Sequence, residues 1–223
     1  MATFLRHWLG TKKYQFENTV RALAYRTQTP LGLQAVSSFW EEQAVIIHEQ
    51  WGEETHDFAA LAELFAEFGP SSILDVGCGS GRLFGHYIEH GINDIIGLDI
   101  SEKALTIAHA RYPSIPTLAI KVEELDFPVD RFDLAICNRV LQHIPRNAIA
   151  GAVSKLCSIS KAVYVNELTE SDQLNEEFFM FRHDYPTLFA EHHFQLIKTG
   201  LIGTDKSGVG NSHQQTFYYY CLQ

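Results

Sequence analysis

The residues best suited to chemistry lie in one short stretch, Ile-Leu-Asp-Val-Gly-Cys-Gly-Ser-Gly at positions 73–81. An apolar run that ends in Asp75 and breaks into alternating glycines is typical of a buried strand turning sharply into a helix. Glycine there permits positive φ and lets a ligand lie against the main chain, and the following helix points its free N–H groups at the turn. Asp99 closes the next apolar run, where one carboxylate can hold both hydroxyls of a ribose. Together these residues predict a nucleoside site.

The spacing of the glycines indicates which nucleoside is bound. A dinucleotide fingerprint requires G-x-G-x-x-G, but the position that should hold its third glycine is Arg82. The third glycine is Gly81, and G-x-G-x-G after Leu-Asp-Val resembles motif I of the class I S-adenosylmethionine (SAM) methyltransferases. That resemblance implies SAM as cofactor and S-adenosylhomocysteine (SAH) as product. A nicotinamide or flavin site and a purely structural turn are the alternatives.

Composition places the chain among ordinary globular proteins. Its 223 residues are 46% hydrophobic and 20% charged, which fits one α/β domain with an N-terminal extension. We expect no membrane span, because no apolar run approaches the ~18 residues that cross a bilayer. We expect no signal peptide, because the first residues include no apolar segment that ends in a small-residue cleavage site. The four cysteines are far apart and include no C-x-x-C pair, so we expect reduced thiols and a cytoplasmic location.

The net charge of −10 is unevenly distributed. Residues 1–30 hold five lysines and arginines against Glu17, a balance of 5 − 1 = +4, so the other residues carry −14. An acidic body argues against a nucleic-acid partner, since phosphate backbones bind to positive surfaces. The basic N-terminal stretch is read either as a contact for an anionic substrate, a membrane surface or a partner, or as a solvated helix face.

The order of elements predicts the fold. Helices are expected at 14–26, 35–51 and 58–68, with a break at 30–32. From residue 72 onward strands alternate with helices, which indicates a parallel sheet covered on both faces; the expected strands are 72–76, 94–99, 117–121, 134–137 and 162–166. Two further β-rich runs, 194–201 and 215–222, predict an antiparallel hairpin at a sheet edge. The expected fold is therefore α/β and Rossmann-like, a seven-stranded, mostly parallel sheet with helices on both faces and a C-terminal antiparallel hairpin.

The resemblance covers roughly residues 55–223 and leaves 1–54 as an N-terminal helical extension or lid. A substrate-side insertion is expected around 168–193. The family implies that the glycine turn holds the methionine half of SAM and that Asp99 holds the ribose. The stretch Val-Glu-Glu-Leu is similar to that of ubiquinone-biosynthesis O-methyltransferases and implies an adenine contact. The implied cofactor-binding residues are Asp75, Gly77, Cys78, Gly79, Asp99, Ile100, Val122, Glu123 and Asn138.

The acceptor side is predicted from residues that follow the fourth and fifth strands and from the insertion. His143, Glu167 and His183 are the candidate catalytic residues, and Trp40, Arg139, Arg182 and Tyr185 are the candidate substrate-binding residues. A packed core histidine is the alternative for His143, and structural capping is the alternative for Glu167. The histidines after position 180 lack metal-ligand spacing, so no metal is expected.

The expected function is transfer of a methyl group from SAM to an oxygen or nitrogen of a small-molecule acceptor. An N-P-P-Y-type string is missing beside the fourth strand, where Cys137-Asn138-Arg139-Val140 stands instead, which argues against amino groups of nucleobases or glutamine. An aminopropyl-transferase-like enzyme and a non-catalytic SAM-binding subunit are the alternatives. The sequence does not indicate an oligomeric state.

Overall fold

A seven-stranded mixed sheet organises the chain in the computed structural model, which describes residues 30–168, 181–202 and 215–222. The strands are β1 (Ser72–Val76), β2 (Asp94–Asp99), β3 (Thr117–Ala119), β4 (Leu134–Asn138), β5 (Ala162–Leu168), β6 (Phe194–Ile202) and β7 (Gln215–Leu222). Their order across the sheet is β3-β2-β1-β4-β5-β7-β6. The first five pair in parallel, whereas β7 is antiparallel to both β5 and β6. This arrangement confirms the predicted fold class.

Helices cover both faces of the sheet. They are α1 (Pro30–Trp51), α2 (Phe58–Phe68), α3 (Phe84–Glu89), α4 (Glu102–Arg111), α5 (Ile149–Ile159) and α6 (Tyr185–Ala190), with 3₁₀ turns at Val122–Glu124 and Leu141–His143. Buried side chains of α2, α3 and α4 form one apolar core on one face, and those of α5 and α6 form a second core on the other. None of the described helices is both long enough and apolar enough to span a membrane.

Two helix ends follow from residues that lie beside them in the sequence. Gly69 ends α2 with φ +56°, and its amide donates to the Phe65 carbonyl. Ser101 caps α4, because its hydroxyl accepts from the Ala104 amide at 3.1 Å, an arrangement that satisfies a free N–H of the first turn.

The expected break at residues 30–32 is wrong, because α1 begins at Pro30. Proline is compatible with the first turn of a helix, where its missing N–H would have no intrahelical partner. The helix expected over 14–26 lies outside the described residues. Among the strands, β3 is two residues shorter than expected, while β4 reaches Asn138 and β5 reaches Leu168.

The strand order reverses at β1, which lies between β2 and β4. Crossover connections leave the sheet in opposite directions at such a point and open a crevice at the carboxyl ends of the strands. The glycine turn follows β1, Asp99 ends β2, and Asn138 ends β4. The topology therefore brings the predicted nucleoside residues to one edge of the sheet.

Candidate functional site

The glycine turn after β1 adopts a backbone that other residues rarely take. Gly77, Gly79 and Gly81 have φ of +66°, +54° and +72°. A Cβ on Gly77 would collide with Val140 Cγ2, whereas a Cβ on Gly79 would meet no atom within 4 Å. Gly77 is thus needed for close packing against the segment after β4, and Gly79 leaves open space above the main chain.

Asp99 is held rigidly against this turn. Its Oδ2 accepts from the Gly79 amide and its Oδ1 accepts from the Ser101 amide, both at 2.9 Å. Each carboxylate oxygen has a second lone pair, so the group can accept two further hydrogen bonds from a ligand. Burial raises the pKa of Asp99. Its carboxylate lines the crevice and is suited to a vicinal diol.

A cavity of about 440 Å³ occupies the crevice, a volume in the range of small-molecule and cofactor sites. Its floor is the glycine turn, and one side is formed by the end of β2 and the 3₁₀ turn at Val122–Glu124. The opposite side is the segment 138–145 that follows β4, and α1 forms a further wall through Ser37, Trp40, Ala44, Ile47 and His48.

Helix α1 is anchored to the body of the domain at several points. Glu41 Oε2 accepts from the Ser101 hydroxyl at 2.7 Å, and His48 Nδ1 lies 3.0 Å from Ser80 Oγ. The Trp40 ring meets the His143 ring edge-on, with centroids 4.7 Å apart. Sequence reasoning missed Glu41 and His48, because their partners are distant along the chain and no local pattern marks them.

A buried ion pair lies beside the turn. Arg82 Nη1 and Nη2 donate to Asp57 Oδ1 and Oδ2 at 2.8 and 2.7 Å, and Asn138 Nδ2 also donates to Asp57 Oδ2. Burial by itself would raise the pKa of Asp57, but the hydrogen bonds and charge of Arg82 outweigh it and lower that pKa to about 2. Asp57 therefore stays ionised and fixes both Arg82 and Asn138.

The polar network continues along the carboxyl ends of the next strands. Asn166 Nδ2 donates to Asn138 Oδ1 at 3.1 Å and to Gln215 Oε1 at 2.7 Å. Gln215 Nε2 lies 3.1 Å from His56 Nε2. Asn138, at the cavity wall, is thus tied to β5, β7 and the segment before α2.

All predicted cofactor-binding residues except Asp75 line the cavity, namely Gly77, Cys78, Gly79, Asp99, Ile100, Val122, Glu123 and Asn138. Asp75 is buried beneath the turn, and within the described part of the chain its Oδ2 has no hydrogen-bond partner. Burial raises the pKa of Asp75 to about 7. Its position inside β1, between Leu74 and Val76, places it in the sheet and below the ligand space.

The predicted acceptor-side residues divide into two groups. Trp40, Arg139 and His143 line the cavity, whereas Glu167 lies behind it. Glu167 Oε1 accepts from the Leu141 amide at 2.9 Å and from the Gln142 amide at 3.3 Å. It therefore caps the 3₁₀ turn that carries His143. Burial raises the pKa of Glu167 to about 8.

His183, Arg182 and Tyr185 are likewise outside the cavity walls. His183 Nε2 lies 3.1 Å from the Leu141 carbonyl, and burial lowers its pKa. Arg182 is exposed. Tyr185 is buried in the core on the α5 side of the sheet, because α6 turns back onto that face instead of crossing the crevice. Residues 169–180 of the expected insertion lie outside the described residues.

In the ranges 30–168, 181–202 and 215–222, no group of three or more histidine, cysteine, aspartate or glutamate side chains is arranged to hold a metal ion. The cavity is lined by the glycine turn, by the Asp99 carboxylate, and by apolar and polar side chains of the surrounding elements.

Comparisons with known proteins agree with this geometry. A family model described as a methyltransferase domain matches residues 73–162. A ubiquinone biosynthesis O-methyltransferase of Neisseria meningitidis is 25% identical over 142 residues, which are 56% of this chain and 60% of that protein. A malonyl-[acyl-carrier protein] O-methyltransferase of Salmonella typhimurium is 28% identical over 109 residues, 49% of this chain and 43% of that protein. The chain thus spans about half the length of these curated relatives.

Solved structures share the fold. The 1,6-didemethyltoxoflavin-N1-methyltransferase of Burkholderia thailandensis, crystallised with 1,6-didemethyltoxoflavin and SAH, has a TM-score of 0.68 and 20% identity, covering 87% of this chain and 91% of that chain. The magnesium protoporphyrin IX methyltransferase of Synechocystis, crystallised with SAH, has a TM-score of 0.65 and 16% identity, covering 85% and 99%.

Proposed function

We propose that the chain is a class I SAM-dependent methyltransferase and that it transfers a methyl group from SAM to an oxygen or nitrogen of a small-molecule acceptor. The observation that carries the proposal is the joined pair of Gly79 and Asp99. Their hydrogen bond holds the Asp99 carboxylate, which can accept hydrogen bonds from a diol, beside main chain at Gly79 that has free space next to it.

The cavity residues fit SAM. The turn at Gly77–Gly79 would hold the methionine half of SAM, and Asp99 would accept hydrogen bonds from the two ribose hydroxyls. Ile100, Val122 and Glu123 would hold the adenine, and Asn138 would be available to the methyl-donating end of SAM. Bound SAM supplies a methyl group already activated by its positive sulfur, so the protein's task is alignment and exclusion of water.

His143 is the proposed base on the acceptor side. It takes the proton that a hydroxyl or ammonium acceptor loses, a role suited to a histidine at the cavity wall. Its ring is held by Trp40, and the turn that carries it is held by Glu167 and His183 through Leu141. We therefore assign Glu167 and His183 as positioning residues, in place of the catalytic roles expected for them.

Three features support a small-molecule acceptor in place of a nucleic acid. Helix α1, the described part of the proposed 1–54 lid, forms a cavity wall and narrows access to the site. The net charge is negative. The relatives named above include enzymes called ubiquinone and toxoflavin-precursor methyltransferases. We also propose a cytoplasmic location, since Cys78, Cys137 and Cys157 are buried free thiols.

Product analysis tests the function. The purified protein is incubated with methyl-labelled SAM and a small-molecule extract, and products are identified by mass spectrometry. Methyl transfer yields SAH and a labelled acceptor. Release of 5′-methylthioadenosine from SAM would indicate transfer of the aminocarboxypropyl group, and its release in a parallel incubation with decarboxylated SAM would indicate aminopropyl transfer. SAM binding without any product would indicate a non-catalytic subunit.

A further inference from the structure

Arg139 lies at the cavity wall in a backbone conformation that arginine rarely adopts. Its φ is +58°, in the left-handed region that costs a residue with a Cβ about 1–2 kcal/mol. Its amide donates to the Asn166 carbonyl at 2.7 Å, and this bond to β5 holds the conformation. Strain of this kind is found where the fold must aim a side chain.

The guanidinium of Arg139 is paired with a carboxylate less closely than the guanidinium of Arg82. Both nitrogens of Arg82 are bonded to Asp57 at 2.8 Å or less. Within the described part of the chain, the acidic oxygen that lies within 4 Å of the Arg139 guanidinium is Glu54 Oε2, at 3.7 Å, which is too long for a hydrogen bond. The same Glu54 oxygen is 3.0 Å from His56 Nδ1.

The surroundings of Arg139 disfavour a cation that is paired only weakly, as Arg139 is with Glu54. Its side chain is 30% exposed, and burial together with the charge of Arg82 lowers its pKa. Charges that are partly removed from water are costly unless they are well paired, and Arg139 lines the cavity. A guanidinium fork matches the two oxygens of a carboxylate or phosphate.

We propose that the methyl acceptor carries a carboxylate or phosphate group and that Arg139 binds it. This inference rests on the proposed function and names the substrate class of the same site. The strand order places the group on the acceptor side: Asp99 ends β2, whereas Arg139 follows β4 and is bonded to β5, across β1. Arg139 also shares the wall with His143 and Trp40.

Calorimetric titration of the SAH-loaded protein tests the proposal with matched probes. Benzoate and phenyl phosphate are compared with the neutral molecules benzamide and phenol. We expect the wild-type protein to bind the anions about 10- to 100-fold more tightly, as for charge-assisted hydrogen bonds. Arg139→Asn should abolish this preference while tolerating positive φ, and Arg139→Lys should retain part of it.

Arg131→Asn is the matched control, because Arg131 pairs with Asp94 at the opposite end of the strands. This substitution should leave the anion preference unchanged. The proposal is overturned if the SAH-loaded wild-type protein shows no anion preference. It is also overturned if Arg139→Asn weakens the binding of SAH but not the binding of 5′-methylthioadenosine, which lacks the amino-acid carboxylate of SAH. Arg139 would then bind the cofactor carboxylate. A wild-type protein that binds no SAH refutes the proposed function itself, and this inference with it.

Discussion

The two nitrogens of the Arg82 guanidinium meet the two carboxylate oxygens of Asp57, which lies 25 positions earlier in the chain. Asp57 is fully buried and also receives the amide of Asn138 from the end of β4. A single carboxylate thereby connects the segment before α2, the residue after the glycine turn and the cavity wall.

Asp57→Ala is expected to destabilise the protein by about 3–5 kcal/mol, because it leaves the buried charge of Arg82 without its partner. Urea unfolding measures the change. Asp94→Ala is the matched control: it removes a bidentate pair with Arg131 in which the Asp94 side chain is 50% exposed, a loss of about 1 kcal/mol or less. Equal effects of the two substitutions would contradict a stabilising role for the buried pair.

The same pair predicts acid sensitivity. The pKa of Asp57 is lowered to about 2 in the folded protein from an ordinary 3.8, so its contribution is fully present above pH 3.8. That contribution disappears as the pH falls towards 2, because the unfolded chain takes up the proton first. As the pH is lowered below 3.8, the free energy of unfolding should therefore fall less in Asp57→Ala than in the wild-type protein. Urea unfolding at several pH values measures this difference.

Asp99→Ala is expected to weaken SAH binding by roughly 30- to 150-fold, the cost of losing a charge-assisted pair of hydrogen bonds. Calorimetry gives the dissociation constant, and circular dichroism confirms that the variant is folded. An unchanged affinity in a folded variant would remove Asp99 from the ribose site.

Gly79→Val is expected to abolish SAH binding while preserving the sheet. A β-branched residue is strained at φ +54°, and its methyl groups would enter the open space above the turn. Gly91→Val is the control, since Gly91 also has positive φ and free space for a Cβ but lies outside the cavity. If both variants bind SAH equally well, the turn does not hold the cofactor.

Glu167→Gln is expected to flatten the dependence of stability on pH. Burial raises the pKa of Glu167 to about 8 from 4.5, so between these values the folded protein holds a proton that the unfolded chain has released. Stability therefore falls as the pH rises from 4.5 to 8, by at most about 1.4 kcal/mol per unit for one group. Glutamine keeps the oxygen that caps Leu141 and removes this titration. Urea unfolding at pH 5, 6.5 and 8 compares the two proteins, and parallel curves would argue against an elevated pKa.

His143→Ala is expected to reduce turnover by about 10²- to 10⁴-fold with little change in SAH affinity, as for removal of a general base. The measurement uses the acceptor identified by product analysis and records turnover against pH. If His143 is the base, the wild-type rate should rise with pH, and the rate of the variant should not show this rise. His109→Ala, on the exposed side of α4, is the control. A lower melting temperature with unchanged turnover would assign His143 to packing.

Local chemistry could be predicted from the order of the residues: the glycine turn from residue 77 to 81, the acid that ends β2 and the alternation of strands and helices. These signals are readable because the residues that interact lie within one element or one turn, where spacing decides geometry. The contacts between side chains of different elements could be seen only in the folded protein. The fold placed Glu167 and His183 behind the cavity, paired Asp57 with Arg82, and brought Glu41 and His48 of α1 against the turn and α4. Such partners are set by how helices and strands pack in three dimensions. The residues next to a buried carboxylate in the sequence do not indicate which cation will pair with it in the fold.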